Sequence, residues 1–385
     1  MRVCAVICEY NPFHLGHAYH LRAAREASGA DYVLCLMSGA LTQRGAFARH
    51  DKWLRARAAL ENGADLVLEL PTRFACAPAP DFASGGVALL SALGVATHLS
   101  FGCEASALPL LSAAAALFKA ESPAFSAALR ARLADGLPYP RARALAAEQA
   151  AGLPAALLAQ PNAALALEYL QALPPEIAPV PVDAALSSLS SATAVRAALA
   201  RGDLPAALSA VPSPAPLQAA EARGFVHEEE ALTQALLYRL RTASPDALAA
   251  LYGMDEGLER RFLAAAQTCA SREALLDFVK TKRYTRARLS RLCAYALLDL
   301  SRDFAQAHRA PEYARVLGFR RSAAPLLKAV KRRSAIPLVT KAADFDRAHP
   351  LFALDVRAQD LWSLGVSNPA LRSSGRDFTT SPILV

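Results

Sequence analysis

Short apolar runs alternate with amphipathic segments through the first hundred residues. The runs begin at Val3, Tyr32, Leu66 and Thr97, and each has the length of a β-strand. Between them, apolar residues recur at three- to four-residue spacing, which predicts helices with one buried face. Strands and helices alternating in this order form right-handed βαβ units and a parallel sheet. We therefore predict a Rossmann-like α/β domain with its ligand site at the carboxyl ends of the strands.

Beyond residue 105 the pattern is mostly helical and rich in alanine and leucine. Helices are predicted over 105–158 and 163–173, and the proline-rich stretch 174–181 is predicted to connect them to a further helix that begins near Ser191. Residues 202–216, rich in Pro, Ala and Ser, mark a plausible domain boundary. Predicted helices follow at 228–241, 245–252, 256–269, 272–279 and 355–364. We therefore predict two domains, 1–200 and 201–385, the second mainly helical.

Positive charge is concentrated in one part of the chain. The net charge is +8, yet residues 280–333 contain fifteen Lys and Arg against three acidic residues. The rest of the chain is therefore slightly acidic. A local excess of this size indicates that a polyanion binds the C-terminal half.

The cysteines and the apolar segments bear on the cellular compartment. The chain has seven cysteines, scattered and without a CxxC pair, which favours reduced thiols over a disulfide framework or a zinc site. The longest apolar helix candidate, 105–118, is too short to cross a bilayer. The N-terminus leads directly into a strand without a secretory leader. We expect a cytoplasmic protein that does not associate with a membrane.

Candidate chemistry lies where the first strand gives way to the first helix. His14 and His17 flank Leu15-Gly16 at this junction. Unpaired N–H groups and the helix macrodipole favour anions at a helix start. Gly16 has no side chain to obstruct a phosphate. Two imidazoles at such a position indicate chemistry on a phosphate.

A second anion-binding pattern occurs at 189–196. Ser190, Ser191 or Thr193 can cap the helix that starts there, and Arg196 follows one turn later at the same end.

The twelve residues 9–20, EYNPFHLGHAYH, carry a family resemblance. HxGH after a first strand resembles the signature of the HxGH nucleotidyltransferases, and the longer match is similar to the tRNA(Met) cytidine acetate ligases. Segments 42–45, 63–71, 101–104, 191–196, 256–259 and 280–285 also resemble that family, in the right order. Members commonly carry an Arg and a Tyr-His pair before Leu189, where this chain has VDAALSS.

The resemblance implies a nucleotidyltransferase domain followed by a mainly helical, basic, tRNA-binding domain. It implies that ATP and acetate form acetyl-adenylate, whose acetyl group passes to the wobble cytidine of elongator tRNA(Met) as N4-acetylcytidine. ATP would be a substrate, accompanied by Mg²⁺, with no tightly bound metal. His14 and His17 would be the catalytic residues. The implied ATP-binding residues are Ile7, Cys8, Glu9, Tyr10, Asn11, Pro12, Phe13, His14, Leu15, Gly16, His17, Ala18, Tyr19, His20, Gly102, Asn162, Ser191, Thr193 and Arg196.

Basic residues and an aromatic residue are the predicted tRNA contacts, because grooves that bind RNA combine cations with stacking rings. They are Lys280, Lys282, Arg283, Tyr284, Arg286, Lys331, Arg332 and Arg333. The plainer interpretation of such a stretch is a solvated helix face.

Several alternatives remain open from sequence. His14, His17 and His20 could bind a metal, although they straddle a turn and lack a fourth ligand nearby. Glu69 could be catalytic, or it could form a salt bridge or a strand-end hydrogen bond. His50, His98, Cys4 and Cys8 are expected to be structural. The rival functions are a cofactor-forming adenylyltransferase, which gives no role to the basic domain, and a non-catalytic RNA-binding protein.

Overall fold

A computed structural model describes residues 1–183 and 191–385. Eight strands form one sheet in the order β5–β4–β1–β2–β3–β6–β7, with β8 paired to β6. The strands are β1 Val3–Cys8, β2 Tyr32–Ser38, β3 Leu66–Leu70, β4 His98–Gly102, β5 Ala178–Val182, β6 Ala314–Phe319, β7 Leu338–Val339 and β8 Ile383–Leu384. The pairs among β1 to β5 are parallel, and β6 runs antiparallel to β3. The predicted Rossmann-like parallel sheet is confirmed.

Helices cover both faces of this sheet and build most of the C-terminal half. They are α1 Leu15–Ser28, α2 Lys52–Glu61, α3 Thr72–Ala75, α4 Ala79–Leu93, α5 Leu108–Lys119, α6 Pro123–Ala134, α7 Tyr139–Ala151, α8 Ala155–Leu158, α9 Pro161–Ala172, α10 Ala192–Ala200, α11 Leu204–Ser209, α12 Pro214–Ala222, α13 Thr233–Thr242, α14 Pro245–Ala249, α15 Leu258–Thr268, α16 Arg272–Val279, α17 Arg286–Leu298, α18 Arg302–Ala307, α19 Ala324–Arg333, α20 Pro350–Leu364 and α21 Arg376–Thr379.

Local chemistry explains where the N-terminal helices start and stop. Asp51 caps α2 by accepting from the Trp53 N–H at 2.7 Å. Gly29 and Gly94 follow α1 and α4 in the left-handed conformation that glycine adopts without strain. Asp at a helix start and Gly after a helix end are the residue types that favour such boundaries.

The segment 174–181, predicted as a connection, contains most of strand β5. Pro179 and Pro181 lie in it, and prolines usually exclude an interior strand. Here β5 is an edge strand: the Ala178 N–H donates to Thr97 O, and Val182 O accepts from the Cys103 N–H, each at 2.9 Å. The two prolines alternate with these bonded residues, so their missing N–H groups cost no ladder bond.

The sequence pattern also did not predict strand β6. Through β6 the C-terminal half of the chain contributes a strand to the sheet. It is buried along most of its length and pairs Arg315 with Glu69 on β3. A separate apolar cluster, which includes Phe262, Leu292 and Trp362, packs the C-terminal helices together. A domain boundary at residue 200 would separate the first five strands from a largely helical part. It would also divide one sheet between two domains, because β6, β7 and β8 follow residue 200. It stays a prediction.

Among residues 1–183 and 191–385, no helix has both the length and the apolar character needed to cross a membrane.

Candidate functional site

The turn between β1 and α1 is closed by two histidines whose side chains accept from backbone N–H groups of the same turn. His14 is the N-cap of α1, and its Nδ1 accepts from the Gly16 N–H at 3.1 Å. His17 Nδ1 in turn accepts from the His14 N–H at 3.3 Å. This is the geometry of a capping box, with imidazoles in place of the usual Ser and Glu. Because both Nδ1 atoms accept, both protons of the neutral rings lie on Nε2.

The surroundings keep these histidines neutral. Burial, with a smaller contribution from the Arg196 cation, lowers the pKa of His14 to about 4. Burial also lowers the pKa of His17 well below its usual value, and His14 and His20 contribute. The rings of His14 and His17 lie 3.7 Å apart between centroids, inclined by 31°. At neutral pH both rings of the pair are therefore uncharged and carry their protons on Nε2.

The main-chain amides of this turn are already engaged, which corrects one expectation from the sequence. The Leu15 N–H donates to Ala210 O at 2.9 Å, and the His17 N–H donates to His14 O at the same distance. The Gly16 N–H donates to His14, as above. These three amides therefore have partners within the protein. None of the three is left over to bind an anion at the start of α1.

Aromatic side chains fix the position of the second imidazole. The rings of Tyr10 and Phe13 lie 4.8 Å and 5.6 Å from that of His17. Tyr10 has φ 51°, and the Asn11–Pro12 peptide is cis. Ile7, Cys8 and Pro12 are largely buried around this turn, whereas Leu15, Ala18 and Tyr19 are partly or fully exposed.

Polar contacts join this turn to the loop that follows β2. The Gln43 N–H donates to Glu9 Oε1 at 2.7 Å, and the Arg49 N–H donates to Asn11 Oδ1 at 2.9 Å. Glu9 and Asn11 therefore hold the loop in register with the histidine turn.

Arg55 on α2 is a residue that sequence reasoning missed. Its guanidinium donates to Glu9 O at 2.6 Å and to Ser38 O at 3.0 Å, and also to Gly39 O and His50 O. Arg55 is 2% exposed, and burial lowers its pKa to about 10. It ties together the carboxyl ends of β1 and β2. Its only sequence signal is a basic residue on the apolar face of α2.

Helix α10 brings the second anion-binding pattern to the same turn. Ser191 caps it by accepting from the Ala194 N–H at 3.1 Å. Arg196 donates to Asn11 O at 2.5 Å and to Thr193 Oγ1 at 3.3 Å. The structure thus joins two motifs that are 180 residues apart in the chain. Ser190, and residues 184–188 of the segment that replaces the family's Arg and Tyr-His pair, lie outside the described residues.

Three further predicted contacts take different positions. Gly102 is the last residue of β4, which is parallel to its neighbour β1. It therefore lies, like the histidine turn, at the carboxyl ends of the parallel strands. Asn162 is exposed in the first turn of α9. Because α9 leads to the start of β5, its N-terminus lies on the side of the sheet where the parallel strands have their carboxyl ends. His20 differs: its Nε2 bonds Ser100 Oγ on β4 at 3.0 Å, and burial lowers its pKa to about 4.

A cavity of about 520 Å³ opens beside Arg196. It extends from the histidine turn, across the loop after β2, to the start of the helical C-terminal part. Its lining includes Glu9, Asn11, Thr42, Arg44, Phe47, Arg49, Thr193, Arg196, His227, Glu228 and Glu229.

The two basic segments are separated in space. Lys280, Lys282, Arg283 and Arg286 are exposed beside α17, which packs against the loop after β2 through Arg291 and Gly45. Lys331, Arg332 and Arg333 are exposed at the end of α19. Arg333 contacts Gly94 there, at the turn that precedes β4. The second segment therefore lies at the amino-terminal edge of the sheet, away from the histidine turn.

Tyr284 does not have the surroundings of a stacking residue. It is 6% exposed and belongs to the apolar cluster of the C-terminal helices. Arg288 lies over its ring at 5.2 Å. This placement does not support the prediction that the ring stacks on a base.

Glu69 forms ion pairs deep in the protein. Lys52 Nζ contacts its two oxygens at 2.7 Å and 2.9 Å, and Arg315 and Asp377 complete a buried group of two cations and two anions. The salt-bridge alternative for Glu69 is thus the one realised. Cys4 and Cys8 are buried, His50 bonds Glu221, and His98 bonds Thr97, as expected of structural residues. Within the described parts of the chain, no group of three or more His, Cys, Asp or Glu could hold a metal ion.

The fold and the paired histidines define a nucleotidyltransferase. A family model described as HIGH Nucleotidyl Transferase matches residues 1–377. The tRNA(Met) cytidine acetate ligase of Syntrophomonas wolfei is 36% identical, over 100% of this chain and 99% of the relative. That of Acetivibrio thermocellus is 33% identical over the full length of both. The crystal structure of Thermotoga maritima TmcAL bound with alpha-thio ATP has a TM-score of 0.93 and 30% identity, covering 100% of this chain and 99% of that one. This chain belongs to the tRNA(Met) cytidine acetate ligase family.

Proposed function

We propose that this protein uses ATP to acetylate the wobble cytidine of elongator tRNA(Met), forming N4-acetylcytidine through acetyl-adenylate. The observation that carries the proposal is the neutral His14–His17 pair, both rings protonated on Nε2, with Arg196 anchored 2.5 Å from Asn11 O on the same turn. Such a site suits the triphosphate of ATP, and a relative of the same fold was crystallised with an ATP analogue. ATP and tRNA meet in the cytoplasm, the predicted location.

The first step needs no nucleophile from the protein. An acetate oxygen attacks the α-phosphorus and pyrophosphate leaves, so the protein has to align the reactants and stabilise charge on the phosphoryl oxygens. The Nε2–H groups of His14 and His17 donate to these oxygens, and Arg196 holds the departing phosphates with Ser191 and Thr193. Gly102 and Asn162, at the same edge of the sheet, are proposed to contact the rest of the nucleotide.

The second step is an acyl transfer. The exocyclic N4 of cytidine attacks the acetyl carbonyl, the bond to AMP breaks, and N4 loses one proton. We propose that the helical C-terminal half holds the tRNA through its basic segments. Mg²⁺ would enter as the ATP complex, because it binds readily through phosphates with few protein ligands. The described residues offer no three-carboxylate or histidine cage for it.

The test is to incubate the protein with ATP, labelled acetate and either elongator tRNA(Met) or bulk tRNA lacking it. We expect label in the elongator tRNA as N4-acetylcytidine and release of AMP and pyrophosphate. Leaving out ATP should abolish the label.

The same experiment separates the rival functions. A labelled or adenylylated small molecule without RNA label would favour a metabolite adenylyltransferase. Binding of tRNA with no turnover of ATP would favour a non-catalytic RNA-binding protein. Either outcome would refute the proposal.

A further inference from the structure

The cavity beside Arg196 contains charged groups that its own walls do not neutralise. Arg49 is engaged by Glu221 and Glu228, and Glu229 by Arg272 at 2.7 Å. By contrast, among the described residues Glu9, Arg44 and Arg196 form no ion pair within 4.0 Å. Glu9 instead accepts one backbone N–H through Oε1, and burial raises its pKa. The cavity thus presents one carboxylate and two cations to an occupant.

An aromatic wall closes the side of the cavity that faces the C-terminal half. Phe47 is half-buried and stacks on His227, with ring centroids 4.7 Å apart and an angle of 29°. A flat, partly accessible ring at the wall of a polar cavity is the usual platform for an unstacked base.

His227 supplies a second, independent sign of a ligand. It is 3% exposed, and its Nδ1 donates to Trp362 O at 2.9 Å. Burial lowers its pKa to about 4, so the ring is neutral and Nε2 carries a lone pair. Within the described residues that buried Nε2 has no hydrogen-bond partner. A buried acceptor without a protein partner needs an explanation, and a donor on an occupant of the cavity would provide one.

We propose that this cavity binds the acceptor cytidine of the RNA, unstacked from its neighbours, with the base against Phe47. Cytosine offers an exocyclic amine as donor and O2 and N3 as acceptors. The walls offer Glu9 and His227 as acceptors and Arg44 as a donor, while Arg196 remains the contact for the phosphates. A volume of about 520 Å³ is ample for one nucleotide. The inference rests on the proposed function and assigns the acceptor subsite of the same active site.

The location fits the transfer step. Arg196 lines this cavity and also donates to Asn11 O of the histidine turn, so the two sites share a wall. A base held here would present its amine next to an acyl group formed at the turn. The cavity also borders the helical half, from which the RNA would enter.

The test measures the two half-reactions of the full-length protein separately. In Phe47→Ala we expect kcat/KM for tRNA acetylation to fall by about 10- to 100-fold, the loss typical of one stacked base. Acetate-dependent ATP–pyrophosphate exchange should stay unchanged. Phe47→Tyr should restore transfer, and Phe47→Leu, which keeps the apolar bulk without a ring, should not. Tyr139→Ala removes an aromatic ring that is 51% exposed on α7, and serves as the matched control.

A binding measurement makes the test independent of turnover. The probe is the anticodon stem-loop of elongator tRNA(Met), with either cytidine or an abasic residue at the acceptor position. Removing the base should weaken binding to the wild-type protein and to Tyr139→Ala, but should have little further effect on Phe47→Ala, because both changes delete the same contact.

The outcomes distinguish this inference from the proposed function. Equal loss of exchange and transfer in Phe47→Ala, or a raised KM for ATP, would assign the cavity to ATP and overturn the subsite. Additive effects of the abasic residue and Phe47→Ala would overturn it as well. Failure of the wild-type protein to acetylate any tRNA would instead refute the proposed function, while the stem-loop measurement would still decide whether the cavity holds a base.

Discussion

The histidine turn and the basic segment 280–286 hold their polar groups in opposite ways. In the turn, His14 and His17 bond to backbone N–H groups two and three residues away, and aromatic rings confine His17. In the basic segment, the cations are exposed and several already have acidic partners. Arg283 contacts Glu256 at 3.1 Å, and Arg286 contacts Asp277 at 2.6 Å. One region is preorganised for a ligand, and the other is a solvated surface.

The net charge counted within 280–333 exceeds the charge that this surface presents in the folded protein. The acids that pair with the basic segment are Glu256, Glu273 and Asp277. They precede it in the sequence and lie outside the window in which the positive excess was counted. Exposed ion pairs of this kind contribute little to stability, yet they reduce the field that an RNA would meet. The uncharged His14–His17 pair does not depend on neighbouring acids in this way. The two regions should therefore respond differently to mutation.

The largest effect on catalysis is expected at the turn. His17→Ala removes an Nε2–H donor and the acceptor that orients the His14 backbone. Acetate-dependent ATP–pyrophosphate exchange should fall by about 100-fold or more, as when an oxyanion donor is deleted. His98→Ala, a histidine at the start of β4, is the control. Unchanged exchange in a correctly folded His17→Ala protein would remove the pair from the mechanism.

The next effect concerns what holds the turn in place. Arg55→Met leaves carbonyls at the ends of β1 and β2 without their donor, and should lower the free energy of unfolding by about 3 to 5 kcal/mol. Urea denaturation measures it. Arg57 on the same helix is 44% exposed, with a carboxylate 3.9 Å away. Arg57→Met should cost at most about 0.5 kcal/mol. Equal losses for the two variants would show that the Arg55 contacts do not hold the strand ends.

The smallest effect is expected in the basic segment. Charge reversal at Lys282, Arg283 and Arg286 should weaken tRNA binding by about 10-fold and flatten its salt dependence. Acetyl-adenylate formation should stay intact. Equal loss of both activities would count against a division of labour between the two halves of the chain.

The same reversal at Lys331, Arg332 and Arg333 separates the two basic segments, because it acts at the opposite edge of the sheet. Both segments stay predicted tRNA contacts. Filter binding with elongator tRNA(Met) at several salt concentrations compares them directly. An unchanged affinity would remove residues 331–333 from the RNA surface.

Periodic patterns predicted the framework well where one segment carries the whole signal. Strands β1 to β4 and helices α1, α2 and α4 were found from apolar spacing and caps, because these elements satisfy their own backbone and bury one regular face. Strand β5 was missed because Pro179 and Pro181 are tolerated only at a sheet edge, and an edge exists only once the strands are ordered. Strand β6 was missed among basic residues that its pairing with β3 buries.

The amino-acid sequence by itself determined the β1–α1 junction, the position of His14 and His17 at it, and the second capped helix, since each depends on residues within a few positions of one another. Only the tertiary structure decided that Arg196 contacts Asn11, that Arg55 joins two strand ends, and that Tyr284 is buried. It also decided that Phe47 and His227 form one wall of a cavity. These contacts join segments far apart in the chain, and their free energy arises from burial and hydrogen bonds that exist only after folding.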